Sequence, residues 1–292
     1  MDIFDRLKAA AASDWQSYVD HDFVRQMGAG RLPQAAFRTY LVQDYLFLIQ
    51  FARAYALATY KSRTLADMRA AQAGLAAILD EMDLHVRLCG RWGFSPEEIE
   101  AAPEHQATVA YTRFVLDCGA AGDLLDLHVA LAPCVIGYAE IGRNLTPNGV
   151  DALGDHPYRE WIAEYAGETY QDVAARARCH LDDLAARAMT ERRFTELAAL
   201  FGKASRLEAD FWQMGLDAVE RLSTHEINWK SFRSRQVFLP APTPLCNRSK
   251  IAIETTHRLP LLGVPRAAQR NEACPQPRYS GARSSPSSRS CS

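Results

Sequence analysis

Between Pro33 and Ser62 the chain carries Tyr40, Asp44, Phe47, Leu48, Phe51 and Tyr55, a set that recurs at i, i+3 and i+4. At 3.6 residues per turn these side chains share one face. The spacing therefore predicts a helix over 33–62 with an aromatic, inward-looking stripe. A strand cannot bury that set, because alternate residues of a strand face opposite sides. The same period runs through most of the first 222 residues, and nowhere there do Val, Ile or Thr alternate with polar residues as in a half-buried strand. The expected architecture is an all-α multi-helix bundle of about seven helices. Asp44 lies on the inward stripe, where a carboxylate needs partners. It either bonds a neighbouring tyrosine or arginine in the core or holds a guest, and the pattern leaves both open.

Punctuation marks the other helices. Asp2 is placed to cap a helix over 2–28, which ends at Gly28-Ala29-Gly30, and Pro33 suits the first turn of the next. A helix follows from Leu65 to Trp92 and a short acidic one opens at Ser95-Pro96-Glu97-Glu98. The next covers Thr108–Cys118, where Tyr111 is either a core aromatic or a ligand contact. Asp123 caps an apolar helix bearing Cys134 and Tyr138. A long helix over Tyr158–Ala188 holds Trp161, Tyr165 and Tyr170, and a final one capped by Thr190 runs through Leu222 with Glu208, Phe211 and Trp212. Glu81, Asp83 and His85 cluster on one helix, but Glu81 and His85 are four apart. Di-iron bundles use Glu-x-x-His with ligands three apart, so this cluster reads as structural or solvated, and no metal or other cofactor is expected.

Charge divides the chain in two. Residues 1–222 hold 22 Lys/Arg against 32 Asp/Glu, a net of −10, whereas residues 223–292 hold 11 against 3, a net of +8. The acidic body lacks the basic face that nucleic-acid binding needs. After Ser223 helical periodicity stops, eight of the 14 prolines occur, and Ser285-Pro286-Ser287-Ser288-Arg289 is low in complexity. The expectation is a helical domain over 1–222 and a disordered Pro/Ser/Arg-rich tail over 223–292, either a shifted reading frame past a normal end or a functional basic extension. The start, Met1-Asp2-Ile3-Phe4-Asp5-Arg6, lacks the basic lead and apolar run of a signal peptide. No stretch is expected to reach the roughly 18 apolar residues of a membrane span. The seven cysteines form no CxxC pair, which fits free thiols in a reducing cytoplasm.

One segment of the apolar helix invites chemistry. Leu131-Ala132-Pro133-Cys134-Val135-Ile136-Gly137-Tyr138-Ala139-Glu140-Ile141-Gly142 sets a proline and two glycines beside a thiol and a phenol. A proline inside a helix costs about 3 kcal/mol, and a helix carrying that fault next to such groups is placing something. Cys134 is thus a candidate nucleophile in a closed apolar pocket. The plain alternative is a buried cysteine that only fills space, as Cys89, Cys118 and Cys179 are read, in core or at surface.

Three stretches together resemble the TenA family, the thiaminase II enzymes of the haem-oxygenase-like helical superfamily. They are Tyr40-Leu41-Val42-Gln43-Asp44-Tyr45-Leu46, Ala132 to Gly142, and Arg206-Leu207-Glu208-Ala209-Asp210-Phe211-Trp212. The resemblance spans about residues 3–220. It implies a haem-oxygenase-like bundle, a cytoplasmic homotetramer without metal, and hydrolysis at the aminopyrimidine half of thiamin or its breakdown products. By position, Cys134 matches the family's catalytic cysteine and Glu208 its acid/base carboxylate. Asp44 matches the aspartate that holds the pyrimidine, Phe47 stands beside the ring, and Tyr111, Tyr138 and Tyr165 match pocket tyrosines. His21-Asp22 departs from the pattern, where members often show proline after the histidine. Two other functions compete: a pyrimidine-binding regulator that kept the pocket without the reaction, and a haem or di-iron redox protein, for which His21 is a conceivable ligand.

Overall fold

The computed structural model describes residues 2–234, and helices make up the described architecture. In order they are α1 (Ile3–Ala10), α2 (Ala12–Val19), α3 (Asp22–Gly28), α4 (Gln34–Lys61), α5 (Leu65–Arg91), α6 (Pro96–Glu100), α7 (Gln106–Ala121), α8 (Leu124–Leu145), a 3-10 turn (Val150–Leu153), α9 (Arg159–Ala166), α10 (Glu168–Ala188) and α11 (Glu191–Ser234). No strand occurs among the described residues, so the bundle is all-α as the periodicity requires.

The expected helices are present but two are subdivided. The stretch over 2–28 is three helices, broken at Ala11 and again at Asp20-His21. The second break is set by His21, whose Nδ1 accepts the Phe23 amide hydrogen bond and caps α3. That use ties the ring to its own backbone and gives no support to His21 as a haem ligand. The stretch over 158–188 is likewise two helices, parted at Gly167, whose extended backbone (φ −66°, ψ 150°) interrupts the ladder. The caps fall where the sequence places them. Asp2 accepts from the Asp5 amide, and Asp123 accepts from Leu125 and Asp126 in a capping box, each worth about 1 kcal/mol. α11 continues to Ser234 rather than ending at Leu222. The rest of the predicted tail lies outside the described residues.

α4 and α8 form the middle of the bundle. α4 packs on α5, α7 and α11, and α8 on α7, α9, α10 and α11. α4 is buried well beyond its aromatic stripe, for Gln43, Tyr45 and Leu46 on its other sides are covered as well. The expectation about membrane spans needs correction. α8 is long and apolar enough to cross a membrane by length and composition, but 78% of that stretch is buried inside the bundle. Its uniform hydropathy is that of a helix surrounded by protein.

α8 also shows how a helix with an interior proline is held. Pro133 offers no N–H to the turn before it. The Tyr18 hydroxyl of α2 donates to the Pro133 carbonyl at 3.3 Å. Tyr18 comes that close because residue 137 is glycine, and a Cβ there would collide with the Tyr18 ring. Gly142 plays the same part toward α9, where a Cβ would lie 2.5 Å from the Tyr165 carbonyl carbon. The two glycines thus set the spacing of α8 from α2 and α9, and with it the position of Cys134.

Candidate active site

Cys134 is 7% exposed and reaches the wall of a cavity of about 520 Å³ between α5, α8 and α10. Tyr55, Gly74, Glu81, Val135 and Tyr170 line it beside the sulfur, with Asp80, Arg87, Glu164 and Arg176 among the charged lining residues. A hollow of similar size, about 510 Å³, lies at the N-termini of α5 and α8. It contains no thiol, and its Arg187 is already paired with Asp67 at 2.6 Å. The chemistry-bearing cavity is the one at Cys134.

Behind that wall stands a layer of buried acids and phenols. Tyr111 of α7 donates to Glu208 Oε1 of α11 at 2.9 Å. Glu208 is 1% exposed, and its carboxyl lies near enough to the Cys134 thiol for each to influence the other's proton. Burial pushes Glu208 up to about 8, with the Asp44 charge adding to the rise and the Tyr111 bond and the Cys134 thiol opposing it. The Cys134 thiol is pushed well above its ordinary value by burial and by the negative charges of Glu208, Glu81 and Asp44. A nucleophilic sulfur in this site therefore needs a nearby acceptor for its proton, and Glu208 is in place to be it.

Asp44 of α4 occupies a second polar knot. Its Oδ2 accepts from the Tyr40 hydroxyl at 2.8 Å and lies 2.6 Å from His85 Nε2. Trp161 of α9 supports Tyr40 by donating to its hydroxyl at 3.0 Å. Both bonds to Asp44 fall on Oδ2. Burial alone would keep His85 neutral, but the Asp44 carboxylate more than offsets it and raises the imidazole to about 9. Of the two readings left open by the sequence, the tyrosine partner is present, joined by a histidine.

Each residue singled out in the sequence can be placed. Phe47 stacks at 4.9 Å on Phe51 and lies 5.1 Å from the Tyr111 ring, on the Glu208 side. Tyr138 packs 4.8 Å from Tyr165 and 5.3 Å from Trp212. Tyr165 donates to Glu81 Oε1 at 2.7 Å. Thus Cys134 meets the cavity, and Asp44, Phe47, Tyr111, Tyr138, Tyr165 and Glu208 form the layer behind it. Cys89 is buried, Cys118 half-buried and Cys179 exposed.

The structure divides the α5 cluster between the two readings, structural and solvated: Asp83 is exposed, Glu81 half-buried and His85 buried. His85 is fully buried against Asp44, and Glu81 sits on the cavity wall, pushed up to about 7 by burial. A usable signal was present: Ile78, Glu81, His85 and Leu88 follow each other at three- and four-residue steps, Cys89 lies four after His85, and Asp83 is off that stripe.

A multi-helix bundle without strands in its described part has known counterparts in fold. A domain from Shewanella denitrificans described as having a heme oxygenase-like fold matches 76% of this chain and 94% of its own, with TM-score 0.58 and 11% identity, which speaks for the fold alone. Within that class the assignment is specific. The TENA/THI-4/PQQC family model matches residues 8–218, and the chain belongs to that family. A protein of Halalkalibacterium halodurans called aminopyrimidine aminohydrolase is 39% identical over 202 residues, covering 68% of this chain and 89% of its own. A crystal structure from Silicibacter sp. TM1040, called a TenA family transcription regulator, is 44% identical with TM-score 0.69, covering 73% of this chain and 96% of its own.

Proposed function

We propose that this chain is an aminopyrimidine aminohydrolase of the thiaminase II type, replacing the amine on an aminomethylpyrimidine with hydroxyl in thiamin salvage. One observation carries the reading: a thiol at a cavity wall stands near a fully buried carboxyl that accepts from Tyr111 at 2.9 Å. The membership in the family and the Halalkalibacterium relative's name support it.

Water is a poor nucleophile and the intact aromatic ring does little to expel an amine from its exocyclic carbon, so direct displacement is slow. Thiol addition makes the ring electron-rich enough to push the amine out. Glu208, protonated at neutral pH, gives its proton to a ring nitrogen as the Cys134 sulfur bonds to a ring carbon. The resulting carboxylate takes the thiol proton, so charge does not build up in the buried site. The adduct expels the amine, which leaves with the electrons of the carbon–nitrogen bond and a proton from Glu208. Water then adds at the exocyclic carbon, giving one proton back to Glu208. The carbon–sulfur bond breaks, and sulfur takes up the ring proton as aromaticity returns. Asp44 receives the 4-amino group and fixes the ring, with His85 and Tyr40 holding the carboxylate from behind. Phe47, Tyr111, Tyr138 and Tyr165 pack on or orient the ring.

The test is Cys134→Ser. Turnover of 4-amino-5-aminomethyl-2-methylpyrimidine and of thiamin, followed by product analysis, falls by at least ~100-fold, while calorimetric binding of the pyrimidine persists. Undiminished hydrolysis removes Cys134 from the mechanism. A second reading comes from the Silicibacter structure's name: a pyrimidine-responsive regulator with a silent pocket. The net charge of −10 over residues 1–222 disfavours a DNA-binding face, and product formation by the native protein separates the two. We further propose the cytoplasmic homotetramer that the family resemblance implies, read by light scattering on a sizing column.

A further inference from the structure

The cavity at Cys134 is not closed at its α8 end. A smaller chamber of about 160 Å³ adjoins it, and Tyr55, Gly74, Val135, Val173 and Arg176 line both. α5 meets the chamber with Ala70, Ala73, Gly74 and Ala77, whose small side chains keep the space open. At its far end stand His128 of α8 and His180 of α10, with ring centroids 4.7 Å apart and edge to face. The Nε2 atoms of both rings are buried and have no hydrogen-bond partner. Buried polar atoms in native proteins are nearly always paired, and two orphans on adjoining residues that line one chamber call for a common explanation.

Distance suggests one. His128 precedes Cys134 by six residues in the same helix, so about 9 Å of helix axis separates them at 1.5 Å per residue. A single aminomethylpyrimidine ring reacting at Cys134 is too short to use both places at once. The leaving group of a longer substrate would point along the chamber. Resting on the hydrolase reading above, we propose that His128 and His180 form a leaving-group subsite that takes a terminal hydroxyl. A hydroxyl is both donor and acceptor, so one imidazole can donate to it and the other accept from it. Burial together with the nearby His180 ring lowers His128 to about 3, and burial lowers His180 as well. Both rings are thus neutral at neutral pH, which suits a hydroxyl better than a carboxylate or phosphate.

The test is a cycle on both sides of the contact. Substrates are thiamin, whose second ring ends in a hydroxyethyl arm, and its analogue with ethyl in that place. Native protein should favour the hydroxyl compound in kcat/KM by at least ~10-fold, and H128L/H180L should bring that ratio close to one. A ratio unchanged in the variant, or no preference in the native protein, overturns the subsite. If native protein hydrolyses neither compound, turnover of 4-amino-5-aminomethyl-2-methylpyrimidine alone decides the hydrolase reading, and calorimetric titration of the two compounds reads the subsite by itself. A hydroxyl-dependent affinity lost in the variant then supports it, and equal affinities overturn it. Should the double variant not fold, H128L and H180L singly give the same comparison.

Discussion

Replacing Glu208 with glutamine makes a demanding test, because the structure predicts opposite effects on stability and on activity. In an unfolded chain this carboxyl titrates near its ordinary 4.5, and in the folded protein burial raises it to about 8. The native state therefore binds the proton more tightly than the unfolded state, so between these values stability falls as pH rises. The loss begins above about pH 4.5 and is complete above about pH 8. At about 1.36 kcal/mol per unit, 2.5 units of mismatch at pH 7 correspond to about 3 kcal/mol. Glutamine mimics the protonated acid in shape, still accepts the Tyr111 hydrogen bond, and has nothing to ionise. Denaturant unfolding at pH 5, 6, 7 and 8 should show Glu208→Gln close to native at pH 5 and about 3 kcal/mol more stable at pH 7. Turnover should drop by roughly 100- to 10,000-fold, the usual range for a lost general acid. A variant that is less stable at every pH, or whose stability difference does not change with pH, refutes the assignment of a buried, protonated Glu208.

Three further outcomes follow from the same geometry. Tyr111→Phe removes the bond that opposes the rise of Glu208, so the alkaline limb of the pH–rate profile moves upward and kcat falls; a limb that stays in place disconnects Tyr111 from the acid. Gly142→Ala sets a methyl 2.5 Å from the Tyr165 backbone, and backbone cannot swing aside as a side chain can. Chemical denaturation should show a loss of about 1–3 kcal/mol, with kcat reduced as α9 moves away from Cys134. Iodoacetamide at pH 7.5 should label exposed Cys179 well before Cys134, whose thiol burial and neighbouring negative charge keep protonated; peptide mapping that finds Cys134 labelled first contradicts that environment.

How much of this could be read from the chain varied with the kind of signal. Asp44, Phe47 and Tyr55 lie on a helix whose period is regular over seven turns, so their shared face was plain. Cys134 and Tyr138 were flagged by a proline that has no cheap place in a helix interior. The breaks at Ala11 and Gly167 were harder, since a helix interrupted for one residue keeps nearly the same hydrophobic rhythm on both sides. Glu81 and His85 were noticed, but their spacing left them either structural or solvated, and local pattern with the exposed Asp83 between them did not choose. Their burial depends on Asp44 and Tyr165 from α4 and α9 being there to receive them, which is a tertiary fact. Likewise, the adjoining histidines of α8 and α10 are 52 positions apart in the chain, and local pattern does not join them.

The two raised carboxyls have a calorimetric consequence. Glu81 at about 7 and Glu208 at about 8 are each partly protonated in ordinary buffers, so the enclosure stores a fractional, exchangeable proton inventory. A cationic guest will release part of it to the medium. Heats of binding recorded in Tris and in phosphate should then differ by the buffers' own ionisation enthalpies, and the slope between them counts the protons displaced.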